Sequence, residues 1–441
     1  MKKTFRTLHL WLSIPFGIFI TIICLTGASL VFEQEITNAL NPHLYYVTPP
    51  AGAQPLQPSQ LAQRIKEQMP DTLQLSSIQF YADEKMNCMA SFKNAPRRTL
   101  SVNPYTGEVN GWTKSYAFFQ TMRKLHRYLM DSPASRGEKT VGKVVVGIST
   151  LMLVVILITG VVIWFPSSKK ALKNRLSVSC TKGWFRFWYD SHVSLGIYVT
   201  IFLLFMALTG LTWSFNWYRT AAYSLFGGAE QPNTAMAHNA PAHENGNARE
   251  SREAKAGDET QVSQESQPEQ KEGKRGRSGQ RGRGNQEGST DQKQGAESEE
   301  QAKSEGQGRP EGRGERGGRG EHPFNYAVWD NVLSELKGMY PVFKTITLSE
   351  RNAQIAPNPK SLMRRTDTAT FNPRNGEIKE MSYYKDAPRS QALRGWFYSF
   401  HTGNWGGMIT KIIYFLSALI GGILPLSGYY MWLRKKKKKH A

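Results

Sequence analysis

His9-Leu-Trp-Leu-Ser-Ile-Pro-Phe-Gly17, followed by Leu25-Thr26-Gly27, is answered far along the chain by His192-Val-Ser-Leu-Gly196, followed by Leu208-Thr209-Gly210. In both stretches the histidine precedes the threonine by seventeen residues. Each lies in an apolar run, Leu8 to Phe32 and Val193 to Trp217. Two further runs, Val144 to Phe165 and Met408 to Leu433, end alike: Ile158-Thr159-Gly160 before Trp164, and Leu426-Ser427-Gly428 before Trp432. A helix needs about 20 apolar residues to cross a bilayer core, and all four runs are long enough. The first is too long for a signal peptide, and its pattern recurs internally. These runs predict a membrane α-helical protein of four spans in two duplicated halves.

Outward from the runs, the segments between them also match. Asn103-Pro104-Tyr-Thr-Gly107-Glu108 corresponds to Asn372-Pro373-Arg-Asn-Gly376-Glu377, a tight-turn signal between strands. After each turn an aromatic-rich stretch leads to a histidine, in Leu125-His126-Arg127 and in Phe400-His401-Thr402. Each outer segment reads as a small α+β unit. The first has a helix over 59–69 and strands over 75–81, 86–92 and 99–102. The second has a helix over 326–339 and strands over 343–348 and 368–371.

The chain has 441 residues, a formal net charge of +21 and three cysteines, with a mean hydropathy of −0.46. That average conceals a tract, 230–321, of 15 basic and 18 acidic residues with no aromatic residue, which cannot bury a core. His9 to His126 spans 117 residues and His192 to His401 spans 209. The difference equals the 92 residues of the tract, which is therefore an insertion in the second half. Its acids interleave with its bases, which speaks against an RNA-binding role.

The remaining charge orients the chain. Lys2, Lys3 and Arg6, the basic loop at 167–190, and Arg434 with Lys435 to Lys439 supply fourteen net positive charges. Short basic segments stay in the cytoplasm. The expected order is span one within 1–32, an outer domain 33–140, span two within 141–166 and an inner loop 167–190. Span three follows within 191–218, then a second outer domain 219–405, span four within 406–433, and an inner tail 434–441. The basic inner face suits anionic lipid better than nucleic acid. Trp11, Trp164, Trp405 and Trp432 suit interfacial belts. Cys24, Cys88 and Cys180 fall in a span, an outer loop and the inner loop, so no disulfide is expected. No CxxCH motif supports covalent c-type haem.

Four of nine histidines stand at two depths. His9 and His192 open spans from the inner side, and His126 and His401 precede spans entered from the outer side. An ionisable side chain in a membrane is a functional candidate. Two imidazoles on facing helices are what a six-coordinate haem iron needs, whereas zinc would want three or four ligands. Pairing by depth gives His9 with His192 and His126 with His401, hence two haems. The alternative is that these histidines are satisfied by structural hydrogen bonds. Gly17, Gly27, Gly196 and Gly210 would admit a flat macrocycle or simply a neighbouring helix. Arg123, Arg127 and Arg394 are candidate propionate contacts, or interfacial anchors.

Taken jointly, Leu8-His9-x-Trp11, Gly17, Thr26-Gly27, Phe32-x-x-Glu35, Asn103-Pro104-x-x-Gly107-Glu108, Leu125-His126-Arg127 and Thr159-Gly160 resemble the PepSY-associated transmembrane-helix family. The second half repeats the pattern with His192, Thr209-Gly210, Asn372-Pro373, His401 and Ser427-Gly428, serine standing where the motif has threonine. The resemblance covers nearly the whole chain outside the insertion. It implies a bacterial inner-membrane protein with two periplasmic PepSY domains, similar to FoxB-type ferric-siderophore reductases that carry b-type haem. It also implies that His9, His126, His192 and His401 are axial ligands in electron transfer to a ferric siderophore or other ferric chelate. No flavin or nicotinamide fingerprint is present, so the donor is cytoplasmic or a quinol. The competing reading is a non-enzymatic PepSY-type regulator or inhibitor of periplasmic proteases. An accessory subunit of siderophore or iron uptake is a third, disfavoured because the spans offer no charged pathway.

Overall fold

The computed structural model describes residues 2–134, 138, 140–228, 324–358 and 365–440. The insertion expected at 230–321 lies outside the described residues. Four helices are long and apolar enough to cross a membrane, at Lys2–Leu30, Val141–Trp164, Trp184–Ser214 and Asn404–Lys435. At about 1.5 Å per residue even the shortest exceeds the roughly 30 Å hydrocarbon core. The third begins at Trp184, before the expected 191, because the aromatic run Trp184 to Tyr189 continues the helix.

In chain order the helices are α1 (Lys2–Leu30), α2 (Glu33–Leu40), α3 (Pro42–Tyr45), α4 (Pro58–Gln68), α5 (Ala117–Tyr128) and α6 (Val141–Trp164). Then come α7 (Lys169–Arg175), α8 (Trp184–Ser214), α9 (Asn216–Leu225), α10 (Ala327–Met339), α11 (Arg389–Thr402) and α12 (Gly407–His440). In the bundle α1 packs on α6 and α12, and α8 packs on the same two helices. Ile20, Cys24, Leu157, Val199 and Leu203 fill its middle. Trp11, Ile18, Ile158, Ile201, Phe205, Ile409 and Ile412 face outward, as lipid-facing side chains should. The basic segments meet at one end: Lys2 Nζ donates to Phe165 O at 2.7 Å, Arg175 to Ile163 O at 3.0 Å, and the Arg434 guanidinium lies 4.7 Å from the Phe185 ring centre.

The strands are β1 (Leu75–Tyr81), β2 (Cys88–Phe92), β3 (Ala95–Val102), β4 (Val109–Trp112), β5 (Thr345–Ser349), β6 (Asn352–Ala356), β7 (Asp367–Phe371) and β8 (Ile378–Ser382). The two strand sets, expected as separate units, form one eight-stranded antiparallel sheet in the order β4-β3-β2-β1-β5-β6-β7-β8. Its centre is the β1–β5 ladder, with Ile78 opposite Leu348 and Phe80 opposite Ile346. One core lies beneath α4 and α10, holding Leu61, Ile65, Ile78, Leu100, Trp329, Leu336, Ile346 and Ile355. Ser59 N donates to Asp330 Oδ1 at 2.8 Å, which fastens α4 to α10. The sequence reading missed β4, β6 and β8; β6 does alternate, with Ala353 and Ile355 buried between exposed Asn352 and Gln354, whereas β4 and β8 have no fully buried position.

Both Asn-Pro-x-x-Gly turns close identically. Asn103 N donates to Glu108 O and Gly107 N to Asn103 O, each at 2.9 Å; Asn372 with Glu377 and Gly376 with Asn372 give the same distances. Gly107 and Gly376 sit at φ +74° and +80°, a region glycine enters without Cβ strain. Each set of strands then passes into a helix bearing one histidine of the second pair, α5 for His126 and α11 for His401.

Candidate functional site

The four depth-ordered histidines share one kind of seat. His126 Nδ1 lies 2.8 Å from Ile23 O and 3.4 Å from Thr26 Oγ1. His401 Nδ1 lies 2.9 Å from Met206 O and 3.3 Å from Thr209 Oγ1. His9 Nδ1 lies 3.0 Å from Ile156 O and 3.1 Å from Thr159 Oγ1. His192 Nδ1 lies 3.1 Å from Leu424 O and 2.8 Å from Ser427 Oγ. In each case the carbonyl stands three residues before the hydroxyl, and a glycine follows the hydroxyl.

A carbonyl oxygen only accepts, so the proton sits on Nδ1 in all four rings. The hydroxyls spend their own protons within their helices: Thr26 donates to Ile22 O at 2.6 Å, Thr159 to Val155 O at 2.9 Å, Thr209 to Phe205 O at 2.6 Å and Ser427 to Leu424 O at 2.7 Å. Each hydroxyl is thereby left as a second acceptor for the imidazole N–H. This tautomer leaves the Nε2 lone pair uncommitted, the arrangement a metal-ligating histidine requires.

The glycines explain why the rings fit. A Cβ on Gly27 would stand 2.9 Å from His126 Cε1, and one on Gly210 would stand 3.1 Å from His401 Cε1. Gly160 and Gly428 give 3.4 Å to His9 and 3.8 Å to His192. The space at Gly27 and Gly210, read from sequence as room for a macrocycle or a helix, is taken by imidazole rings. Gly17 has a different neighbour. Tyr429 lies over it and donates to Ile14 O at 2.6 Å.

These seats link helices in a fixed pattern. α1 receives His126 of α5 beside Thr26 and lodges its own His9 on α6; α8 receives His401 of α11 beside Thr209 and lodges His192 on α12. His126 and His401 are thereby brought together, with ring centres 6.1 Å apart and planes inclined at 53°. Two metal–imidazole bonds of about 2 Å each, plus about 1 Å from nitrogen to ring centre on either side, separate the rings by about 6 Å. Trp213 meets His401 edge-on at 5.2 Å. His9 and His192 sit at the other level of the bundle, seated on α6 and α12. Among the described residues no three His, Cys, Asp or Glu side chains converge as a metal site. The donor chemistry therefore suits a metal that brings its remaining ligands with it.

The description of the PepSY-associated TM region matches residues 6–435. The chain belongs to that family. No curated protein matches it as a relative. Within this PepSY-associated chain, the three arginines proposed from sequence have different surroundings. Arg123, one helical turn before His126, is held by both oxygens of Glu33 at 2.5 and 2.6 Å. Arg127 lies with its guanidinium 5.2 Å from the Tyr128 ring centre. Arg394 lies on α11, one turn past Gln391 and ahead of His401.

Sequence reasoning overlooked a buried charged residue inside a span. Lys411, in the fourth membrane helix, is 7 % exposed at its side chain and pairs with Glu35 at 2.5 Å. The absence of charge from the spans, used above against a transport role, is thus corrected. A lysine three residues into an apolar run was the available signal. Glu35 appeared in the family pattern without a role; it joins α2 to α12, while its neighbour Glu33 joins α2 to α5.

Proposed function

We propose that this protein is a bacterial inner-membrane b-type haem protein that transfers electrons across the membrane to reduce ferric iron, most simply a ferric siderophore, in the periplasm. Its two halves arise from a duplication, each with a PepSY-like outer unit, and both termini are cytoplasmic. The observation that carries this reading is the set of four Nδ1–H histidines in two pairs, the outer pair at 6.1 Å. Haem, when bound, would supply a one-electron iron couple in a low-dielectric setting.

His9 with His192, and His126 with His401, would hold it. The chain's own residues fix the tautomer, aim Nε2 and keep the ligands neutral. The backbone carbonyl at each seat raises the basicity of its imidazole by accepting the Nδ1–H. Trp213 stands edge-on to His401 at the outer pair. From His9 to Thr26, and from His192 to Thr209, seventeen residues separate the levels by about 25 Å along one helix, so the two pairs divide the bilayer between them. The electron donor is a quinol or a cytoplasmic reductant, and anionic lipid matches the basic inner face.

Proteoliposomes enclosing a reductant, with a ferric chelate outside, test this function. Ferrous iron is expected to form outside, and to stop forming with His9→Ala or His401→Ala. Wild-type protein that forms none while folded and haem-loaded would instead favour the non-enzymatic regulator of periplasmic proteases.

A further inference from the structure

The two halves differ where the strands hand over to the histidine helix. Thr113 and Ser382 hold equivalent places, ten residues after Asn103 and Asn372, and lie across from Thr99 and Thr368. From Thr113 to His126 the chain takes thirteen residues, and from Ser382 to His401 nineteen. Three of the six extra residues lie in the linker, since 114–116 leads into α5 and 383–388 into α11. The other three, Arg389 to Gln391, lengthen α11 by nearly one turn ahead of its histidine. This extra length is tied to the sheet. Asp367 on β7 is buried and accepts from Tyr384 N and from the Tyr340 hydroxyl, both at 2.7 Å. Tyr384 opens the 3-10 turn Tyr384–Asp386, and its hydroxyl donates to Ala392 O on α11 at 3.4 Å.

An open cavity of about 320 Å³ lies where β7, β8, the linker and α11 meet. Thr366, Thr368 and Ser382 form its sheet side, Tyr383 and Tyr384 its linker side, and Gln391 its helix side. The linker and the added turn supply six of its ten lining residues, so the cavity exists because the second half is longer here. Its volume falls within the range of small-molecule sites, about 300–1,000 Å³. The hydroxyls and the Gln391 amide both donate and accept. Asp386 is the one carboxylate in the lining, and two cations stand against the tyrosines. Lys385 Nζ is 5.1 Å from the Tyr383 ring centre, and the Arg365 guanidinium is 5.8 Å from that of Tyr384. Charges of both signs at the rim select no strongly charged ligand, whereas carbonyl oxygens and N–H groups meet partners on every side.

We propose that this cavity docks the ferric chelate, and that it takes an uncharged chelate edged with amide or hydroxamate groups. This rests on the electron-transfer reading for the use made of the bound iron, and adds to it a place and a chemical class. Gln391 precedes His401 by ten residues, so the cavity lies about 15 Å along α11 from the histidine. The first half has neither the longer linker nor the added turn, so the docking site belongs to the second half alone.

The test measures binding apart from electron transfer. Full-length protein in detergent is titrated calorimetrically with the gallium(III) complex of a neutral trihydroxamate, which matches the ferric complex in shape and is not reduced, and with gallium citrate. Thr368→Val/Gln391→Leu removes hydrogen bonds from two sides, and Ser382→Trp fills the cavity. Ser382 and Gln391 are exposed, so both variants are expected to keep the wild-type thermal transition. Wild type is expected to prefer the trihydroxamate by about tenfold, and each variant to weaken it by about tenfold, as lost hydrogen bonds should. Folded variants that both keep wild-type affinity overturn the docking site, as does wild type that binds neither complex. Equal affinity for citrate overturns the chemical class. Binding that both variants lose, in a protein whose proteoliposomes form no ferrous iron, supports the docking site and defeats the electron-transfer reading alone.

Discussion

The His126 ring lies against the bare backbone of Gly27, where a Cβ would stand only 2.9 Å from its Cε1. Ordinary carbon contacts are about 3.5 Å or more, so Gly27→Ala must push the ring from its seat. Overpacking of this kind costs about 1–3 kcal/mol. Gly27→Ala is expected to lower the thermal midpoint and to release the outer haem. Gly428→Ala, with 3.8 Å to His192 Cε1, should do neither. Haem per chain and melting curves of the two variants check the contrast.

Removing a seat hydroxyl is a milder change. Thr159→Val leaves the Ile156 O bond to His9 at 3.0 Å and removes only the 3.1 Å contact to Thr159. The stability cost is expected near 1 kcal/mol, with both haems retained. A redox titration of this variant should show one of two waves displaced, and Thr209→Val should displace the other.

The Glu35–Lys411 pair offers a test of the junction between α2 and α12. Glu35→Gln leaves an ammonium that is 7 % exposed without its counter-charge. Breaking a fully buried pair costs about 3–5 kcal/mol; Glu35 is 36 % exposed, so about half of that is expected. Adding Lys411→Met should recover most of the loss. Thermal unfolding of the single and double variants in one detergent measures both steps.

The spans are legible in the sequence because twenty uncharged apolar residues have few other fates. The repeated Thr-Gly and Ser-Gly pairs are legible as recurrence, yet their purpose is not. Nothing in the one-dimensional spacing reveals that His9 docks on Thr159 while Thr26 of its own helix receives His126. That exchange depends on which helices become neighbours. The same limit explains Arg123, whose partner Glu33 is ninety residues away in the chain, and the joining of two strand sets through β1 and β5. The central ladder is set by edge-to-edge pairing, which alternation alone does not specify.

Thiol reactivity tests the orientation. Cys180, in the basic loop, is exposed, while Cys88 is buried in the sheet. Burial pushes the Cys88 thiol up to about 12, so almost no thiolate is present at pH 8. A membrane-impermeant maleimide at pH 8 should label inverted vesicles through Cys180 and leave intact spheroplasts unlabelled. Labelling of spheroplasts that Cys180→Ser abolishes would reverse the orientation. In denaturant Cys88 should become reactive as well.

The most direct measurement is the haem content of the purified full-length protein from iron-replete cells, by pyridine haemochrome against protein mass. Two b-type haems per chain are expected, falling to one in His401→Ala and to one in His9→Ala. A colourless wild-type protein, or a haem content that neither substitution alters, would contradict the assignment of the four seated histidines as axial ligands.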